Sequence, residues 1–374
     1  MKVSKVSLNF FAAIMAGISS CGVAVCAADG TSAISNSAST VSNSVSTASN
    51  SETRAVLDRQ RIISSLQLDD AVFLSAFNRP VNLPEQPGQP DSLSASTNLS
   101  LASASLLPLL NAPSDLYKLL RRNELVQIIT DIEIDNSKPL TKNIIVSLKN
   151  DAPELVRLAR NSLKQKVGHN HGLVDSPMQW QGEGSNWQAT VLDARHLLVS
   201  NKPESAAKIE GKFAQGKDKK DGKNRKDSGS DSGSANSAAD SALSTFEVLP
   251  KRLKILLADL PGEPDLWQVL DTSIINSTNG DRASNSFCEL SKDKTSMVTF
   301  VEPGSETLKS LVYSVNQKAP DQISRELSDF KEPAEFVVRK SGENKFTVTI
   351  PGADPKSMRT KVFLLLLTGP LGAG

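Results

Sequence analysis

The residues best suited to chemistry are few and lie far apart. His169-Asn170-His171 places two imidazoles at i and i+2, which an extended segment would turn to one side, and His196 could add a third. Zinc takes three or four nitrogen, sulfur or oxygen ligands, and Asp175 or Glu183 would supply the carboxylate. No His-Glu-x-x-His and no cysteine pair accompanies these histidines, and Gly168 before them looks like a helix end, where polar loop residues are ordinary. No metal site is therefore assigned, and His169, His171 and His196 remain its candidates.

Asp131, Glu133 and Asp135 alternate, so three carboxylates share one strand face. Acid–base pairs need opposed carboxyls with separated pKa values, so this trio reads instead as the solvated side of a half-buried strand. Trp180 and Trp187 flank Gly182-Glu183-Gly184. Exposed, they would stack on sugar rings and form a binding site; buried, they would make a cross-strand aromatic pair. Cys288 has no histidine motif beside it and reads as a small buried side chain. Gly369, Gly372 and Gly374 lack the following helix that a phosphate loop requires. No catalytic residue and no cofactor is assigned.

The elements that would position these groups divide the chain. Residues 28–53 are dominated by Ser, Thr, Asn and Ala and read as a disordered tether. Residues 54–113 read as a helix, with Val56, Leu57, Ile62, Ile63, Leu66, Phe73 and Phe77 as its stripe, ended by Pro80 and followed by a Pro/Ser-rich linker. An α+β block spans 114–210. Within it, Ile128 to Ile134 and Ile144 to Leu148 form a hairpin, Asp151 to Gly168 a capped helix, and 178–200 a second hairpin.

Residues 211–244 carry Lys217, Lys219, Lys220, Lys223, Arg225 and Lys226 among Asp, Ser and Gly, a disordered linker and a solvated charge run. A second α+β block covers 245–374. Its helical stretches are EPDLWQVLDTSII, SETLKSLVYSVNQ and DQISRELSDF, its hairpin is FVVRKSGENKFTVTIPG, and Val362 to Leu367 is a buried strand. The fold class is α+β: two β-rich blocks with short helices.

The 374 residues carry 42 Lys plus Arg against 41 Asp plus Glu, a formal net charge of +1. That balance gives no drive toward nucleic acid, whose sequence-independent binding needs a basic excess. The start has the layout of an export signal: Lys2 and Lys5, an apolar run from Val6 to Ile18, and Val25-Cys26-Ala27 before a cut at Ala28, giving a signal peptide over 1–27. The apolar run falls short of the roughly 20 residues a membrane-spanning helix needs. Ile18-Ser19-Ser20-Cys21-Gly22 also resembles the lipobox of bacterial lipoproteins, in which Cys21 would carry lipid. With ordinary cleavage only Cys288 of the three cysteines remains, which excludes an internal disulfide.

Two segments 90 residues apart echo each other, Phe246 to Gly262 and Phe336 to Gly352 (336 − 246 = 90). Each reads as a strand, a turn, an alternating strand and a Pro-Gly stop, which would make a duplicated β unit. Pro250-Lys251-Arg252-Leu253 leading to Asp259-Leu260-Pro261-Gly262 resembles the end of AMIN-type (amidase N-terminal) domains, and Thr130 to Ile134 is similar to their opening strand. The second copy lacks the Pro-x-Arg-Leu and the Asp, and the long basic linker is not usual for the family. The resemblance implies a small β-sandwich in the bacterial envelope that targets amidases, pili or secretion channels to peptidoglycan. The expectation is an exported, noncatalytic protein of the periplasm or cell surface, bound to peptidoglycan or another envelope protein. It would touch membrane only if lipidated. A lipoprotein or adhesin anchored through Cys21 and a zinc-dependent wall hydrolase are the alternatives.

Overall fold

The computed structural model describes residues 45–85, 97–133, 141–168, 178–182, 185–221, 244–260, 262–274, 296–302, 307–314 and 337–350. The chain divides into Met1–Ala55 and Val56–Gly374, and the sheet and both apolar clusters belong to the second unit. The signal, Cys21, His169, His171, Asp175, Glu183, Cys288, the strand expected at Val362 to Leu367 and most of the linker lie outside the described residues. So does most of the tether, although the backbone is helical from Val45.

The protein is α+β. Its strands, in chain order, are β1 (Ala71–Phe77), β2 (Leu125–Glu133), β3 (Thr141–Leu148), β4 (Gln179–Gly182), β5 (Ser185–Val191), β6 (His196–Ser200), β7 (Leu266–Asp271), β8 (Ser296–Val301), β9 (Leu308–Tyr313), β10 (Val337–Lys340) and β11 (Lys345–Ile350). They form one 11-stranded sheet in the order β10-β11-β9-β8-β7-β1-β2-β3-β6-β5-β4. Every neighbouring pair is antiparallel. The strands of the two β-rich stretches meet at β1, which pairs with β2 on one side and β7 on the other.

The described residues hold six helices: α1 (Val45–Ser65), α2 (Thr97–Leu110), α3 (Ser114–Arg122), α4 (Pro153–Gly168), α5 (Pro203–Asp221) and α6 (Lys251–Leu257). Strand side chains alternate between faces, and the core splits accordingly. One face gathers Phe77, Ile128, Ile132, Ile144 and Val199 under Leu106 and Leu109 of α2, Leu116 and Leu120 of α3, and Leu155 of α4. The opposite face gathers Leu74, Ile129, Ile145, Trp267 and Val298 under Ile62 and Ile63 of α1, Ile209 and Phe213 of α5, and Leu253 and Leu257 of α6. Leu106 and Leu109, Leu116 and Leu120, Ile209 and Phe213, and Leu253 and Leu257 stand three or four residues apart, each pair on one stripe of a 3.6-residue period.

Several expectations are corrected by tertiary context. The helix read over 54–79 stops at Ser65, and Phe73 and Phe77 belong to β1. LWQVLD and LKSLVY, read as helical, are β7 and β9. A strand buried on both faces shows a continuous apolar run, which periodicity alone does not separate from a helix. The opposite error occurs at Phe246 to Gly262. Thr245–Val248 is a 3-10 turn and Lys251–Leu257 is α6, so the segment does not repeat the β10–β11 hairpin. Leu249, Leu253 and Leu257 recur every four residues and are all buried, and Pro250 is compatible with a helix start. The linker also begins later than its composition suggests, because α5 runs to Asp221.

Candidate functional site

Trp180 and Trp187 sit directly opposite each other on β4 and β5, on the face that carries α2. Trp187 is 3 % exposed, the buried arrangement of the two that the sequence left open. Its Nε1 donates to the Gly182 carbonyl at 2.9 Å. The half-buried Trp180 donates from Nε1 to the Pro108 carbonyl of α2 at 3.0 Å. Buried indoles need such a partner for the N–H, so the pair joins the sheet edge to α2.

His196 opens β6 and is buried at 3 % exposure. Its Nδ1 lies 2.7 Å from Asp193 Oδ1, and its Nε2 lies 3.0 Å from Asp58 Oδ2 of α1. Only the imidazolium donates from both nitrogens, so two carboxylates favour the charged ring. Burial pushes the His196 pKa down, but the hydrogen bonds and charges of Asp193 and Asp58 outweigh it and raise it. Burial pushes the Asp58 carboxyl up, yet His196, with Arg195 and Arg61, holds it below its ordinary value. The Arg61 guanidinium lies 3.6 Å over the Phe213 ring, and its Nη1 lies 3.7 Å from Asp193 Oδ2. Both nitrogens of His196 are thus engaged by carboxylates, and the cluster holds α1 and α5 against β6.

Asp131 is the largest departure from the sequence reading. It faces the α1 side and is fully buried, as is Asn143 opposite it on β3. The expected solvated face does not exist here, because α5 covers it. Asn143 Nδ2 donates to Asp131 Oδ2 and to Glu133 Oε1, each at 3.2 Å. Ser205 of α5 donates to Asn143 Oδ1 at 3.3 Å. Asp131 Oδ1 and Thr141 Oγ1 are buried without a hydrogen-bond partner. Burial and the Glu133 charge push the Asp131 carboxyl well up, against the Asn143 hydrogen bond. Burial also raises Glu133, with Asp70 adding to it and Lys202 and Lys208 opposing it. Asp135 lies outside the described residues.

Arg252 of α6 completes a third polar knot. Nη1 pairs with Asp271 Oδ2 at 2.7 Å, while Nη2 donates to the carbonyls of Leu68 at 2.6 Å and Ala71 at 2.5 Å. Burial raises the Asp271 carboxyl, but hydrogen bonds from Ser273 and Arg252 outweigh it and hold the pKa low.

Of the residues singled out from sequence, the structure joins Trp180 to Trp187 and Asp131 to Glu133, but it brings neither pair to His196. Sequence reasoning missed Asp58 as a partner of His196, since 138 positions separate them and no local pattern marks the contact. Asn143 left no distinct signal either, since β3 reads TKNIIVSL and Thr141, Lys142 and Ser147 are polar beside it. Among the described residues no group of three or more His, Cys, Asp or Glu is placed to hold a metal, and no helix is long and apolar enough to cross a membrane.

No family model and no curated protein matches the chain. Among solved structures it resembles crystal form I of TP0453, with a TM-score of 0.35 and 9 % identity. That match covers 80 % of this chain and 94 % of the other.

Proposed function

We propose that this is an exported, noncatalytic protein that binds the cell wall or another protein of the bacterial envelope. The observation that carries the reading is the layout of Met1 to Ala27, with a basic start, an apolar run and a small-residue cut. Two features of the fold support it. His196 and Asp131, two of the polar side chains singled out from the sequence, are buried and engaged with neighbouring elements. The outer strand β10 turns Val337, Arg339 and Lys340 to solvent at one end of the sheet. An outer strand with basic side chains suits an extended protein segment or an anionic wall polymer.

The test is cosedimentation of the mature chain with purified peptidoglycan sacculi and with envelope membranes. Retention on either is expected, and the paired variant Arg339→Glu/Lys340→Glu should weaken it about tenfold if the surface charge contributes roughly 1.4 kcal/mol. Retention on neither, together with wall cleavage that chelators abolish, would reject the reading. Palmitate incorporation at Cys21 would replace soluble export with a lipid anchor.

A further inference from the structure

The oxygens around Asp131 outnumber what their hydrogen bonds explain. Asp131 and Glu133 project from the same face of β2, and Asn143 Nδ2 stands 3.2 Å from an oxygen of each. Ser205 Oγ reaches the same amide at 3.3 Å and Glu133 Oε1 at 3.5 Å. Thr141 is paired directly across from Glu133 and shares its strand face with Asn143, two residues on. Two of these oxygens, Asp131 Oδ1 and Thr141 Oγ1, are buried without a hydrogen-bond donor and come from different strands, and beside Asp131 stands the Glu133 carboxyl, which can bond to it only by sharing a proton. A buried carboxylate without a full set of partners is costly, and hard cations such as calcium relieve that cost by gathering carboxylate, amide and hydroxyl oxygens.

We propose that Asp131, Glu133, Asn143, Thr141 and Ser205 form a binding site for a hard divalent cation of the calcium class. Asp131, Glu133, Asn143 and Ser205 are joined by side-chain contacts, and Thr141 is placed beside them by its pairing with Glu133. Turning the Asn143 amide over would present Oδ1 to the ion and leave Nδ2 facing Ser205. Calcium fits better than magnesium, which demands near-ideal octahedral geometry and keeps its water. Only two of the donors are acidic, and Lys202 and Lys208 lie within electrostatic reach of Glu133. The affinity therefore belongs with the extracellular range of about 10⁻⁴–10⁻³ M. This proposal is independent of what β10 binds.

The experiment is thermal unfolding of the mature full chain, stripped with chelator and titrated with calcium chloride, alongside calorimetric titration of the folded wild type. The expected result is a saturable rise in Tm of about 3 °C at tenfold over Kd. Magnesium should produce a smaller rise. Asp131→Asn should abolish the rise, and Thr141→Val should move its midpoint to higher calcium. A wild type without heat of binding and with a Tm indifferent to calcium would overturn the proposal and leave a shared proton as what neutralises the pair. A calcium response kept in folded Asp131→Asn would overturn it as well, by placing the ion elsewhere.

Discussion

At the scale of single residues, the molecule keeps its titratable groups where their ionisation acts on packing. The imidazolium of His196 is held by Asp58 from α1 and Asp193 from the turn before β6, with Arg61 and Arg195 beside them. Its raised pKa means that its stabilisation is complete below the ordinary value of 6.5 and is lost as pH rises through the folded value. The lowered Asp58 works the other way: its stabilisation is complete above 3.8 and is lost as pH falls through the folded value. The clamp is thus strongest between those two ordinary values. His196→Ala should cost about 3 kcal/mol in urea denaturation near pH 5.5, because two carboxylates lose their shared partner. The difference from wild type should shrink on the alkaline side; a cost independent of pH would refute the ion-paired ring. Asp131 predicts the reverse sign for its own replacement. Its raised carboxyl leaves stability intact below 3.8 and erodes it as pH rises through the folded value. In chelator, Asp131→Asn should therefore gain on wild type as pH rises, and an isostere that loses ground would show that the charged form is the one the fold prefers.

At the scale of elements, the sequence was most legible where a strand kept one dominant period or a helix kept its punctuation. The β2–β3 and β10–β11 hairpins could be read from alternation, and α4 from Asp151 and Pro153 at its start. What could not be read was burial on both faces. β1, β7 and β9 lie inside the sheet, so their apolar runs lose the alternation that marks a half-buried strand. The burial of Asp131 was hidden for a related reason: it alternates like a surface carboxylate, and α5, whose Ser205 lies 74 positions downstream (205 − 131), covers it. Arg252 shows how elements distant in sequence are joined. One guanidinium fork ties α6 to the α1–β1 turn and to the end of β7. Arg252→Lys cannot reproduce that fork and should cost on the order of 2 kcal/mol, from the lost charge-assisted hydrogen bonds. Urea midpoints measure this, and a neutral exchange would show the carbonyl contacts to be incidental. Trp187→Ala, which empties a core position between β5 and α2, should cost about 3–5 kcal/mol. It should leave the retention of folded protein on sacculi unchanged.

At the scale of the whole molecule, the seam between β1 and β7 decides how the protein unfolds. β1 precedes every other strand among the described residues, yet it lies in the middle of the sheet, between β2 of the first stretch and β7 of the second. Both faces of that seam are buried: Phe73, Phe77 and Leu270 contribute to one cluster, and Leu74, Ala76, Trp267 and Val269 to the other. Neither stretch can shed the other without exposing a strand edge and two apolar faces together, which costs far more than opening a polar domain interface. The three tryptophans report on both sides, since Trp180 and Trp187 lie on β4 and β5 while Trp267 lies on β7 next to β1. Variants keeping only Trp187 or only Trp267, the others changed to Phe, should therefore lose fluorescence at the same urea concentration and with the same slope as far-UV circular dichroism. Separate midpoints would mean that the stretches fold independently and that β1 belongs to one of them alone. A third variant, Leu74→Asp, places a charge in the seam; it should lower both tryptophan midpoints together, whereas a drop in one alone would count against a shared core.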